Sequence, residues 1–141
     1  MILGDHVLFD ISPNITLRPY KSNPLKDYLE SLENIKTYDV EIPLPAHRES
    51  GSSLTQRVDE LLLHHQKRLQ EVIDIVGSDP GLSCYNIAAR MTWSIKAKNW
   101  GEFPTAQKWF AVSEAAAHLN YLIINGSLKR ESINGAYKYS S

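Results

Sequence analysis

Three residues in the first third of the chain have types that could do chemistry: Asp5, His6 and His47. Asp5 and His6 interrupt an apolar stretch, Ile2-Leu3-Gly4-Asp5-His6-Val7-Leu8-Phe9-Asp10, and His47 follows a second apolar run ending at Leu44. An aspartate can bridge two cations, and an imidazole suits zinc or iron. Two such ligands are too few alone, because a catalytic zinc usually has three protein ligands plus water and a dinuclear site needs more. The competing reading of Asp5 is a surface turn or a helix cap.

The elements around these residues must bring them together. Residues 1–20 read as short strands and turns, with Val7, Leu8 and Phe9 as strand formers. Asn23-Pro24 opens a helix over about 24–36, carried by Leu25, Tyr28, Leu29, Leu32 and Ile35 at helical spacing. Val40-Glu41-Ile42-Pro43-Leu44 alternates and reads as a short strand, with Pro43 pushing it to an edge. A strand-helix-strand crossover brings successive strand ends to one edge of a sheet, so Asp5 and His47 could converge.

Beyond a Ser/Gly linker the character changes. Residues 54–77 form the strongest predicted helix, with Leu54, Val58, Leu61, Leu62, His65, Leu69, Val72, Ile73 and Val76 on one face and Gly77 ending it. Ser83 caps a short helix over about 83–92, Phe103-Pro104-Thr105 opens another, and Asn125-Gly126 ends that one. The tail reads as a hairpin about Asn134-Gly135. Helix, helix, helix, hairpin is the order of a winged-helix unit. The expected division is therefore 1–52 and 53–141, in an α+β, mainly helical chain.

These segments in order resemble the C-terminal part of a metallo-β-lactamase-fold hydrolase. The likeness rests on Gly4-Asp5-His6-Val7-Leu8 at a strand end and on the helix beginning Asn23-Pro24-Leu25-Lys26-Asp27-Tyr28. It rests also on the turn Pro45-Ala46-His47-Arg48, and on the helix with Arg57, His64, His65 and Arg68. The winged-helix appendage completes it. The resemblance implies that 1–52 is a partial αβ module of that fold, with Asp5 the metal-bridging carboxylate and His47 a ligand of the second metal. It implies zinc or another divalent pair in the intact enzyme, which would hydrolyse small-molecule esters, thioesters or phosphoesters.

Two departures qualify it. The turn has Ala46 and Arg48 where the family often has glycines. The family's His-x-His-x-Asp-His motif is absent, for none of His6, His47, His64, His65 and His118 stands in that spacing. The expectation is thus the C-terminal portion of a hydrolase, inactive alone and holding no metal by itself. It would arise by shortened cloning, a misassigned start codon or a split gene. Its expected partner is the missing N-terminal half or a second copy in a dimer. The alternative is a stand-alone winged-helix interaction or DNA-binding module.

Other residues invite sharper readings. His6, Trp93, Trp100 and Phe103 are substrate-pocket candidates; Trp93, Trp100, Phe103 and Trp109 could equally pack a small domain or stack bases. His64 and His65 are neighbours on a helix and point about 100° apart, so His65 is expected in the core. His118 is expected there too, and Cys84 as a small buried hydrophobe. The expected reader helix over 105–119 holds one lysine and one glutamate, which disfavours nucleic acid. A net charge of −1 over 141 residues points the same way and gives an anionic membrane no hold. One cysteine rules out an intrachain disulfide and suits a reducing cytoplasm. No apolar run approaches the roughly 20 residues that span a bilayer, and no signal peptide is visible.

Overall fold

The computed structural model describes residues 1–17, 23–47 and 53–141. Its elements are β1 (Ile2–Gly4), α1 (Pro24–Ile35), β2 (Leu44–Pro45), α2 (Leu54–Ser78), α3 (Cys84–Arg90), a 3-10 turn (Trp100–Glu102), α4 (Thr105–Ile124), β3 (Lys129–Ile133) and β4 (Ala136–Ser140). The chain is mixed α/β and about half helical. No described helix is long and apolar enough to cross a membrane.

Packing divides the chain into two compact units. Residues 1–14 and 26–67 form the first; residues 15–25 and 68–141 form the second. This is a different division from the expected modules 1–52 and 53–141, because the continuous helix α2 contributes to both units. The linker at 50–52 and the residues Ser22 and Arg48 lie outside the described residues.

In the first unit β1 and β2 pair in parallel, Ile2 opposite Leu44 and Gly4 opposite Pro45. Leu44 N–H donates to Met1 O and Ala46 N–H to Gly4 O, both at 2.9 Å. Pro43 and Pro45 stand at the alternate positions, where the ladder needs no donor. The expected strand at 40–44 is therefore a shorter one placed later, and 41–42 bend instead.

The expected strand at 7–9 does not form. Gly4 adopts φ +57, a left-handed conformation that glycine takes without steric cost, and the chain turns at once. His6 N–H closes that turn on Leu3 O at 3.1 Å. Val7 and Leu8 are still buried, at 0% and 6% exposure, so their apolar character serves packing and not strand pairing.

Helix α1 follows its predicted span and buries Leu25, Tyr28 and Leu32. Ser53 opens α2, its hydroxyl accepting from Gln56 N–H at 3.3 Å. The buried positions of α2 are Leu54, Val58, Leu61, His65, Arg68, Val72 and Val76, a stripe at spacings of three and four. Gly77 does not end the helix. Asp79 N–H still bonds Ile75 O at 3.2 Å, and Gly81, at φ +90, makes the turn.

In the second unit α3 is shorter than predicted, with Ser83 as its cap. Helix α4 ends at Asn125 and Gly126 as expected. Strands β3 and β4 pair antiparallel through Asn134-Gly135, both with positive φ, as a two-residue hairpin turn of this type requires. Gly81 N–H and Tyr139 N–H tie the hairpin to the α2–α3 turn, bonding Tyr139 O at 2.8 Å and Leu82 O at 3.2 Å. Val72, Val76, Ile87, Ala88, Ala115, Leu119, Leu122 and Tyr139 belong to one core cluster.

Candidate metal centre

Asp5 leaves the end of β1 on the Gly4 turn, and His47 leaves the end of β2. The parallel pairing therefore places them side by side, and the Ala46 N–H to Gly4 O bond fixes the two backbones next to the pair. Asp5 Oδ1 lies 3.2 Å from His47 Nε2. Both side chains are about two-thirds exposed, at 69% and 68%. An ion pair so exposed adds little to stability, so folding energy gives no reason for this convergence.

The donor chemistry fits part of a divalent-cation site: one carboxylate and one imidazole, both accessible to an ion. Among the described residues no group of three or more His, Cys, Asp or Glu side chains gathers. Among the described residues, Asp5 and His47 are the two donors brought together there.

The structure places His6 elsewhere. Its half-buried ring packs edge-on against Tyr28, with centroids 4.9 Å apart, and its Nε2 has no hydrogen-bond partner among the described residues. Burial holds the His6 pKa below its ordinary value. Tyr28 continues the row to His65 at 5.4 Å, and His65 to His64 at 5.0 Å. Burial pushes the Tyr28 phenol far above its usual range, outweighing the Arg57 charge, so it stays a donor. His65 is fully buried, as its place on the apolar face of α2 predicts.

The aromatic residues of the second unit do not form one platform. Trp93 lies under the Arg68 guanidinium, 4.1 Å from ring centre to Cζ, and its indole N–H donates to Ala88 O at 2.8 Å. Trp100 meets Tyr85 at 5.5 Å and Phe103 at 5.0 Å. Trp109 pairs with Phe110 at 5.3 Å and is exposed. His118 is fully buried, its Nδ1 2.8 Å from Glu114 O. Cys84 is half-buried, not fully buried as expected; its thiol faces Val112 O at 3.6 Å, and burial pushes its pKa up to about 11.

Sequence reasoning missed two groups. Arg68 is 7% exposed, and its guanidinium bonds Thr92 O, the Glu71 carboxylate at 2.9 Å and Glu114 at 3.5 Å. A charged residue in the apolar stripe between His65 and Val72 was the available signal. Arg57 and Tyr28 entered the sequence reading through the resemblance and the helical stripe, with no signal that they bond the loop after β1.

Residues 101–141 match the family described as metallo-β-lactamase-like, C-terminal domain. Nearly the whole chain also superposes on part of solved proteins described as β-lactamase-like. A β-lactamase domain protein from Burkholderia ambifaria superposes with a TM-score of 0.86 at 34% identity, over 99% of this chain and 40% of that one. A metallo-β-lactamase family protein from Thermus thermophilus does so with a TM-score of 0.78 at 29% identity, again over 99% and 40%. The chain spans about 40% of the length of these relatives. No curated protein sequence matches it. The match to a metallo-β-lactamase-like domain implies a divalent metal in the intact protein.

Proposed function

We propose that this chain is the C-terminal portion of a metal-dependent hydrolase of the metallo-β-lactamase superfamily, with Asp5 and His47 as two of its metal ligands. The observation that carries the reading is the 3.2 Å approach of Asp5 Oδ1 and His47 Nε2, two exposed donors on neighbouring strand ends. The metal, when bound, supplies Lewis acidity and a nucleophilic water for an ester, thioester or phosphoester. Asp5 and His47 would hold it and fix its place at the sheet edge. With two donors the isolated chain binds a divalent ion weakly and does not hydrolyse.

A cytoplasmic polypeptide carrying His-x-His-x-Asp-His is the proposed partner, and it would supply the remaining ligands. Apolar Ile2 and Leu44, at 85% and 51% exposure on the β1–β2 pair, support a sheet that continues into that partner or into a second copy. Residues 53–141 form a winged-helix appendage in this reading, supported by the order of α2, α3, α4 and the hairpin. Helix α4 has Lys108 and Glu114 as its charged residues, which favours a roof over the substrate or a dimer contact above nucleic-acid binding.

Metal analysis of the chain co-expressed with the polypeptide encoded immediately upstream tests the assignment, beside Asp5→Ala and His47→Ala. Reduced metal content in both variants is expected. Full metal content in both would remove the ligand assignment. A reading frame upstream carrying His-x-His-x-Asp-His is expected as well, and unrelated upstream sequence would sink the split-enzyme version.

A further inference from the structure

The loop that carries Asp5 is held from outside. Residues 5–11 belong to no helix or strand. Three of their carbonyls receive hydrogen bonds from two helical side chains of the same unit. Tyr28 Oη on α1 donates to His6 O at 3.0 Å. Arg57 on α2 donates through Nε to Leu8 O at 2.7 Å and through Nη2 to Ile11 O at 3.1 Å, while its Nη1 bonds Glu60 at 3.0 Å. The Arg57 side chain is 15% exposed, so this fork is directed largely inward. A guanidinium presents its donors in a fixed plane and can bind two carbonyls at once; an ammonium cannot copy that geometry.

We propose that Tyr28 and Arg57 are positioning residues for Asp5: by holding the carbonyls of His6, Leu8 and Ile11 they keep the Asp5 carboxylate at the strand end, facing His47. His6 joins the arrangement through its edge-on contact with Tyr28. The consequence for a bound cation rests on the reading of Asp5 and His47 as ligands. The positioning itself rests on the hydrogen bonds alone. A net intramolecular hydrogen bond biases an equilibrium by about fivefold, so three together hold the loop by roughly a hundredfold.

Amide hydrogen exchange of the full chain separates positioning from general support, because general support would loosen α2 as well. Tyr28→Phe removes one hydroxyl and should speed exchange at residues 6–11 by about fivefold; Arg57→Gln should do so by about tenfold or more. The amides of Val58 to His65 in α2 should keep their rates in both variants. Arg57→Lys keeps the charge and should not restore the loop. Zinc titration read at the His47 ring should weaken by similar factors in Tyr28→Phe and Arg57→Gln. Unchanged loop exchange in both variants, a loop already unprotected in the parent chain, or an equal rise across loop and α2 would each overturn the proposal. Loop exchange that rises as expected in a parent chain whose His47 does not respond to zinc would uphold the positioning and remove the ligand reading.

Discussion

The two compact units bury their apolar residues to different ends. The second unit assembles a core from α2, α3, α4 and the hairpin, with Ile87, Ala115 and Leu119 fully buried. The first unit buries Leu3, Val7, Leu32 and Leu61 but leaves its two short parallel strands with Ile2 and Leu44 largely exposed. Parallel sheets are normally covered on both faces, so a pair of strands two and three residues long is a minimal sheet. The second unit has a core that its own sequence specifies. The first has a carboxylate and an imidazole together at a sheet edge, both largely exposed.

If that contrast holds, core damage in the second unit should dominate the stability of the chain. Leu119→Ala should lower unfolding free energy by about 2–5 kcal/mol in urea denaturation, the range for an emptied buried leucine. An effect below about 1 kcal/mol would break the comparison.

Next in size is Arg68→Ala. It takes the guanidinium away from the Glu71 and Glu114 carboxylates, of which Glu71 keeps the Thr92 N–H at 2.6 Å, in a setting where the Arg68 side chain is 9% exposed and Glu114 13%, and strips the face of Trp93. A loss of about 3 kcal/mol is expected, as for breaking a buried pair. Thermal melts beside Arg68→Met would sharpen this, since methionine removes the charge but keeps packing volume.

Alkali supplies a smaller lever. The Cys84 thiol has its folded pKa raised by burial from 9.0 to about 11. The unfolded chain therefore loses this proton first. The stabilising contribution is full below pH 9 and is lost as pH rises toward the folded value, on the order of 1–2 kcal/mol. Urea midpoints at pH 8 and 10.5 should converge in Cys84→Ala relative to the parent chain.

Asp5→Asn should have the smallest effect on stability, below about 0.5 kcal/mol, because its contact with His47 is exposed. Zinc binding followed at His47 should nevertheless fall away. A large loss of stability would show that Asp5 supports the fold, and the two units would then differ less than their cores suggest.

Much of the helical frame was legible in the sequence. The stripe from Leu54 through Val76 on α2, the Ser83 cap, the Asn125-Gly126 stop and the Asn134-Gly135 turn each depend on local spacing or on backbone conformation that few residues adopt. The strands were less legible. Val7, Leu8 and Phe9 have strand-forming side chains, but Gly4 turns the chain before they could pair. The Val40–Leu44 alternation resolved into Leu44–Pro45, because the ladder took its donors from Leu44 and Ala46. The aromatic residues looked like one group by sequence proximity and separate in space into Trp93 with Arg68, Trp100 with Phe103 and Tyr85, and Trp109 with Phe110.

By itself the sequence determined the helices, the hairpin and the residue types able to bind a cation, because periodicity, capping and turn conformations act within a few residues. Only the tertiary structure decided that Asp5 and His47, 42 positions apart, stand 3.2 Å from each other. It also decided that Tyr28 and Arg57 bond the carbonyls of the loop after β1. Those contacts follow from the parallel register of two very short strands and from carbonyls that a side chain must cross the unit to reach, and no local pattern encodes either.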